Sequence, residues 1–167
     1  MMKKMNNKGF TLVEVLAVLV ILSILIAIMV PSVNYLINMN KENNYKDLKN
    51  SIVQATKVLF SDYRYEISIE GNCDNDSDGK LNVLKIGEYN LLGGSRLPVT
   101  HLISENNISL DANGFIENPL NSNQVLNPDA SVIIVQYQCD TKDFIYTIDK
   151  NTNNEDYLIW VEKPQES

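Results

Sequence analysis

The stretch that decides the fold runs from residue 10 to residue 30 and reads FTLVEVLAVLVILSILIAIMV. Glu14 is its only charged side chain, and Thr11 and Ser23 are its only other polar ones. At about 1.5 Å per residue, a helix of this length spans about 30 Å, which is the thickness of the hydrocarbon core of a bilayer. The sequence therefore predicts a membrane-spanning helix that carries one acid close to its start.

The residues that flank this run predict its orientation. Lys3, Lys4 and Lys8 are the only charged residues before Phe10, whereas residues 31–40 after the run carry no charge and include three asparagines, Asn34, Asn38 and Asn40. By the positive-inside rule, the lysine-bearing end stays in the cytoplasm and the rest of the chain lies outside the cell.

Three interpretations of the segment compete. A secretory signal peptide has a shorter apolar region and an A-x-A-like cleavage site, and no such site follows Val30. A plain membrane anchor accounts for the length but gives no reason for Glu14. In the third interpretation a peptidase cuts after Gly9, and Glu14 of one subunit meets the new amine of Phe10 of its neighbour. Because an acid within a membrane needs a partner, the third interpretation accounts for Glu14 best.

Residues 8–14, KGFTLVE, resemble the class III signal of type IV pilins and pseudopilins. The shared features are a basic leader, Gly9 before the cut, Phe10 after it, Glu14 at the fifth position of the mature chain, and an apolar helix. The resemblance implies that prepilin peptidase cleaves between Gly9 and Phe10 and N-methylates Phe10. It also implies that Glu14 and Pro31 serve filament assembly.

The resemblance further implies a domain organisation and a set of partners. Residues 1–9 would be the leader peptide, residues 10–30 the transmembrane and assembly helix, and residues 31–167 an extracellular head. The expected partners are other pilin subunits, prepilin peptidase, an assembly platform protein and an assembly ATPase. The chain would reside in the cell membrane as a single-pass protein and then in an extracellular pilus, where it would serve adhesion, motility or surface interaction.

Two other functions remain open at this point. One is a pseudopilin of a type II secretion or competence (DNA-uptake) machine, which carries the same signal. The other is a membrane-anchored binding module, in which Gly9 stays joined to Phe10. Major and minor pilins are not distinguished by the sequence.

A helical pattern resumes directly after Pro31, so we expect a kink there instead of a helix end. The apolar residues that follow are spaced by three and four, which predicts one apolar face on a helix that ends near residue 62: Tyr45, Leu48, Ile52, Ala55 and Leu59. A helix over residues 10 to 62 would be about 80 Å long. Its second half needs a partner surface from the C-terminal part of the chain.

Three segments near the C-terminus are short and rich in β-branched and aromatic residues: 131–139 (SVIIVQYQC), 144–149 (FIYTID) and 157–163 (YLIWVEK). Turn-like stretches separate them, which predicts an antiparallel meander of three strands. Alternation would place Phe144, Tyr146 and Ile148 on one face, and Leu158 and Trp160 on one face of the last strand. The predicted fold class is therefore α+β, with the C-terminal half of a long N-terminal helix packed on a small antiparallel sheet, which is the type IV pilin fold.

The middle of the chain is less informative. Lys80–Ile86 is a candidate strand, and residues 111–114 (DANG) are a candidate turn with residues 108–110 and 115–116 as short strand partners. Residues 114–119 (GFIENP) resemble a loop of Gram-positive pilins, which implies a Gram-positive source.

Composition argues against nucleic-acid binding by this subunit alone. The formal net charge is −7, and phosphate recognition relies on clustered Lys and Arg. His101 is the only histidine, and no nucleophile motif or phosphate-binding loop is recognisable, so we expect no enzymatic activity. No cofactor is required by this interpretation.

The two cysteines, Cys73 and Cys139, lie far apart and outside any metal-binding spacing. A disulfide is the expectation for a head outside the cell, and two independent buried thiols are the alternative.

Residues 74–79, DNDSDG, match the first half of an EF-hand-type calcium loop. The candidate calcium ligands are three alternate acids followed by two later loop positions: Asp74, Asp76, Asp78, Lys80 and Asn82. The twelfth position is Lys85 instead of the usual bidentate Glu, so another carboxylate such as Glu88 would have to complete the site. The alternative is an acidic, solvated turn of the kind that Asn, Asp, Ser and Gly favour.

Overall fold

The computed structural model describes residues 11–74, 78–105, 107–150 and 158–164. The chain divides into two compact units, Met1–Lys41 and Glu42–Ser167. A 51-residue helix, α1 (Leu12–Asp62), begins in the first unit and ends in the second. It continues through Pro31, as the resumption of the helical pattern predicted. In an apolar surrounding, a longer break would leave backbone polar groups unpaired.

In the first unit, the side chains of α1 are exposed throughout. Leu12 is 80% exposed and even Leu25, well inside the run, is 45% exposed. A helical stretch that is apolar and exposed all round needs lipid or other protein around it. The described part of the predicted 10–30 segment, residues 11–30, therefore presents an exposed apolar surface, as a membrane-spanning helix requires.

In the second unit, α1 buries one face. Ile52, Ala55 and Leu59 are buried, and Tyr45 and Leu48 pack partly against the same core, so the predicted apolar stripe is confirmed. Two further buried residues, Thr56 and Phe60, widen that face. The Thr56 hydroxyl donates to the Ile52 carbonyl at 2.9 Å, which allows a polar side chain to be fully buried here.

Nine strands and a short helix follow α1: β1 (Ile67–Glu70), β2 (Lys80–Ile86), β3 (Tyr89–Asn90), β4 (Arg96–Pro98), α2 (Thr100–Ser104), β5 (Glu117–Asn118), β6 (Asn121–Leu126), β7 (Val132–Gln138), β8 (Asp143–Ile148) and β9 (Trp160–Glu162). The larger sheet is antiparallel and is built around β7. That strand pairs with β8 through Val135↔Tyr146, with β4 through Leu97↔Ile133, and with the start of β2. β1 and β3 extend the sheet beyond β2.

The core lies between the buried face of α1 and one face of this sheet. β7 and β8 were both predicted, and their antiparallel pairing is confirmed. Phe144, Tyr146 and Ile148 all face the core, as the alternation indicated. The predicted strand Lys80–Ile86 is also confirmed, with Leu81, Val83 and Ile86 buried at the positions that face inward.

The prediction of a three-stranded meander is wrong in its last step. β9 pairs with β6 through Leu126↔Trp160 in a separate three-stranded sheet of order β5-β6-β9, and not with β8. The first residues of β6 are polar and exposed, so no hydrophobic pattern marks this partner strand in the sequence. Leu158 and Trp160 nevertheless join the core, as predicted, although Tyr157 lies outside the described residues.

The turn at residues 111–114 is confirmed, but its predicted strand partners are not. Asp111 Oδ1 accepts hydrogen bonds from the backbone N–H groups of Asn113 at 2.9 Å and Phe115 at 2.8 Å. Residues 108–110 and 115–116 form no strand, because pairing begins only at Glu117, which aligns with Val125. The overall class is α+β, consistent with the type IV pilin fold.

Candidate assembly site

Thr11 and Glu14 close the first turn of α1. The backbone N–H and the hydroxyl of Thr11 both donate to Glu14 Oε2 at 2.8 Å, and the backbone N–H of Glu14 donates to Thr11 Oγ1 at 3.3 Å. This reciprocal arrangement is a capping box, in which the residue before the helix and its third residue satisfy each other's polar groups. A carboxylate at this end of a helix is also stabilised by the helix dipole.

Both partners of this capping box are exposed, and so are the apolar side chains around them. Val13 is 72% exposed and Val15 is 50% exposed. Glu14 therefore belongs to the outer surface of the helix, where a neighbouring chain can reach it. The capping box satisfies part of its hydrogen-bonding capacity within its own chain.

The processing residues Gly9 and Phe10 lie outside the described residues, as does the whole leader, residues 1–9. Thr11 is the first described residue, and it directly follows the predicted cleavage position. Cleavage after Gly9 would thus place the new amine one residue before the capping box.

The other polar side chains of the apolar segment bond within the helix. Ser23 Oγ donates to the Leu19 carbonyl at 2.7 Å, and Ser32 Oγ donates to the Ile28 carbonyl at 3.3 Å. Pro31 has no backbone N–H to donate, so the Ser32 hydroxyl adds a bond in the turn where proline removes one. By length and composition, α1 is the one helix in the described part of the chain that could cross a membrane.

Cys73 and Cys139 form a disulfide, with their Cα atoms 5.6 Å apart and a sequence separation of 66. The predicted pairing is confirmed. The bond joins the segment after β1 to the end of β7. A second link lies beside it, because the backbone N–H of Cys139 donates to the carbonyl of Gly79 at 2.9 Å.

The candidate calcium loop is described only at its ends. Asp74 and Asp78 are exposed, whereas Asp76 lies outside the described residues, as do residues 75 and 77. Asp78 Oδ1 accepts a hydrogen bond from the backbone N–H of Lys80 at 3.0 Å. Gly79 has a φ of +69°, which a residue with a side chain adopts only under strain.

Glu88 cannot complete that loop. It follows β2, whose seven residues run from the loop to the opposite end of the sheet, a distance of about 20 Å. The acid that lies near the loop is Asp140, whose Oδ1 is 3.4 Å from the position that a Cβ atom at Gly79 would take. Lys80 and Asn82 are at the start of β2, paired with Gln138 and Gln136.

Two further titratable side chains, His101 and Tyr89, lie next to each other. His101 lies with its ring 4.3 Å from that of Tyr89, and burial lowers the pKa of His101. The Tyr89 hydroxyl donates to Glu105, and this bond raises the pKa of Tyr89. In the ranges that the structure describes, no group of three or more His, Cys, Asp or Glu side chains is placed to hold a metal ion.

Sequence reasoning missed two residues of interest. The Thr11 partner of Glu14 could have been found, since T-x-x-E before an apolar run is the pattern of a capping box. Asp140 could have been found from the predicted disulfide, because it directly follows Cys139, whose partner Cys73 directly precedes the loop.

Residues 4–30 match the family described as the prokaryotic N-terminal methylation motif. This match supports a type IV pilin-like family and implies processing by prepilin peptidase and assembly with other pilin subunits. It points to a structural protein. No curated protein and no solved structure matches the chain. A Gram-positive source remains a prediction, because the matched segment does not bear on it.

Proposed function

We propose that this chain is a structural subunit, a major or minor pilin, of a type IV pilus. The observation that carries the proposal is the coincidence of the methylation-motif match at residues 4–30 with an exposed apolar stretch of α1, residues 12–30, whose only acid, Glu14, lies in the first turn of the helix. Prepilin peptidase would remove residues 1–9, and the mature chain would be inserted into a helical filament on the cell surface.

Assembly would exchange lipid for other subunits around the first part of α1. Heterologous contacts that do not close into a ring produce a filament, and an apolar helix exposed on all sides can take part in several such contacts. Both bonds from Thr11 reach Glu14 Oε2, so Oε1 can accept the amine of Phe10 from a neighbouring subunit. The charge of Glu14 would then be neutralised only where subunits are in register.

Pro31 would contribute flexibility to this packing. A helix that lacks one backbone hydrogen bond bends more easily at that point. The assembly platform protein and ATPase expected from the resemblance would drive insertion from the membrane.

We also propose that calcium binds the loop at residues 74–79. Three alternate acids followed by glycine support it, as does Asp140 beside Gly79, since calcium takes six to eight oxygen ligands. Bound calcium would order the segment that the disulfide joins to β7.

The decisive experiment is mass spectrometry of the intact protein from sheared surface material of its native cell. The proposal expects a chain that begins at N-methylated Phe10 and whose mass is lower by two hydrogens because Cys73 and Cys139 form a disulfide. A chain that keeps residues 1–9 and is found only in the membrane would overturn it in favour of an anchored module. Processed protein that never enters long surface fibres would favour the alternative, a pseudopilin of a secretion or DNA-uptake machine.

A further inference from the structure

A groove of about 420 Å³ lies where the end of α1 meets the turn between β7 and β8. Its lining comes from the last turns of the helix and from the turn and the start of β8: Lys57, Phe60, Ser61, Arg64, Lys142, Asp143, Phe144 and Tyr146. A volume of this size accommodates a small organic ligand. The assembly surface described above involves none of these residues.

The groove is positively charged in an otherwise acidic chain. Lys57, Arg64 and Lys142 are exposed at its rim, and none of the three has an ion-pair partner among the described residues. Asp143 is the only acid in the lining, and its Oδ1 accepts a hydrogen bond from the backbone N–H of Phe144 at 2.8 Å. Since the formal net charge of the chain is −7, this local excess of cations departs from the rest of the molecule.

Lys142 occupies a costly backbone conformation. Its φ is +56°, and it is the only non-glycine residue with a positive φ in the described part of the chain. Glycine or asparagine would adopt this conformation more easily, so a lysine here is strained. Strain of this kind is often retained where a side chain has a role, and here it places a cation at the groove.

The walls of the groove are rigid and carry hydroxyl groups. Phe60 is buried, and its ring lies 5.6 Å from that of Phe144 and 5.4 Å from that of Tyr146. Burial, together with the nearby Asp143, raises the pKa of Tyr146 to about 12, so its hydroxyl stays neutral and able to donate. Ser61 supplies a second hydroxyl.

We propose that this groove binds an anionic saccharide of one or two units, through a carboxylate or phosphate group held by Lys57, Arg64 and Lys142. Three cations that line one groove suit such a group, and hydroxyls with aromatic rings suit the polar edges and apolar faces of a sugar. A lone phosphate would leave much of the groove empty. A long nucleic acid would need clustered cations well beyond the groove, whereas the formal net charge of the chain is −7.

This inference goes beyond the proposed function and holds whether or not the chain forms a pilus. It is tested on the full chain in non-ionic detergent, with ligand-detected NMR giving dissociation constants. Glucose 6-phosphate and glucuronic acid are the probes, glucose is the neutral control, and inorganic phosphate tests the anion alone. The variants are Lys57→Gln and Lys142→Asn, since asparagine tolerates a positive φ. Lys46→Gln removes the same charge from an exposed position earlier on α1 and is the matched control.

We expect both sugar anions to bind at least about tenfold more tightly than glucose or inorganic phosphate. Each groove variant should lower the affinity for both sugar anions about tenfold. Lys46→Gln should leave their affinity unchanged. Absence of binding, equal affinity for glucose, or an equal loss in Lys46→Gln would overturn the proposal. So would inorganic phosphate that binds as tightly as glucose 6-phosphate. If a single-stranded oligonucleotide binds more tightly than the sugar anions, and Lys142→Asn abolishes that binding, the ligand of the groove is a nucleic acid and the saccharide proposal is wrong.

Discussion

Glu14 is bonded to Thr11 of its own chain at the first turn of α1, through two hydrogen bonds to one carboxylate oxygen. The sequence alone suggested that this acid depends on a neighbouring subunit. The capping box gives it a partner before any neighbour arrives. The cost of placing the carboxylate near lipid would therefore be partly offset before assembly, and in the filament that we propose the neighbour's amine would add a charge interaction to a side chain already held in place.

Replacing Glu14 separates these two roles. Glu14→Ala removes both the cap and the charge, whereas Glu14→Gln keeps an oxygen that can accept from Thr11. We expect both variants to be cleaved normally and both to enter filaments at least about tenfold less than the parent. Both lose the charge of Glu14, and loss of a charge pair costs more free energy than loss of a neutral hydrogen bond. Immunoblots of sheared filaments and membranes measure this. If Glu14→Gln assembles normally, the cap is what matters and the intermolecular pairing is wrong.

The buried face of α1 should dominate the stability of the second unit. Leu59 is fully buried, and Leu59→Ala should lower the free energy of unfolding by about 2–5 kcal/mol, as lost apolar burial and a cavity add together. The neighbouring Val58 is 50% exposed, and Val58→Ala should change that free energy by less than about 0.5 kcal/mol. Urea denaturation followed by Trp160 fluorescence distinguishes them. Equal effects would contradict the packing described for this face.

The disulfide should stabilise the chain substantially. Closing a loop of 66 residues contributes about 4 kcal/mol in the chain-entropy account, so the double variant Cys73→Ser/Cys139→Ser should unfold at clearly lower denaturant. Reduction of the parent with dithiothreitol should reproduce the shift, and the double variant should not respond to it. A parent that is insensitive to reduction would argue that the bond adds nothing to stability.

Calcium should raise the melting temperature of the full chain, since a ligand that binds only the folded state stabilises it. Asp76→Ala should abolish that rise and Asp140→Asn should reduce it, because Asp140 lies beside Gly79. Glu88→Gln is the matched control, as Glu88 lies beyond the far end of β2. Differential scanning fluorimetry with calcium and with magnesium makes the comparison. An unchanged melting temperature, or a rise that persists in Asp76→Ala, would show that the loop is not a calcium-binding site.

Tyr146 should make stability fall at alkaline pH. Its pKa is raised to about 12, mainly by burial, so the folded state holds the phenolic proton after the unfolded chain has released it. The contribution is fully present below about pH 10 and is lost as the pH rises through 12. Tyr146→Phe should flatten this part of the profile, measured by denaturation at successive pH values. A profile identical to that of the parent would contradict the environment assigned to Tyr146.

Local patterns in the sequence predicted the elements that a single segment encodes. The apolar run, the three- and four-residue spacing up to Leu59, and the β-branched stretch of β7 each specify an element without reference to the rest of the chain. The disulfide was also accessible, since only one pairing of two cysteines exists. These features account for the fold class.

What the sequence missed depends on partners that come from elsewhere in the chain. β6 begins with polar residues and becomes a strand because β5 and β9 flank it. β9 therefore joins a second sheet instead of continuing from β8. The groove was missed for the same reason, since Lys57 and Lys142 meet only when α1 packs on the turn after β7. The left-handed conformation of Lys142 gave no signal in the sequence at all.

The bare apolar surface of the first part of α1 has a consequence for how cells handle this protein. No described residue of its own unit shields that surface from water, so a freely diffusing, water-soluble pool of the full chain is not a stable option. In the pilin that we propose, every molecule would be surrounded either by lipid or by other copies of itself, and passage between these two environments would have to be direct. Supply to a growing filament would then depend on the concentration of subunits in the two-dimensional membrane, and dismantling the filament would return the subunits to the membrane for reuse.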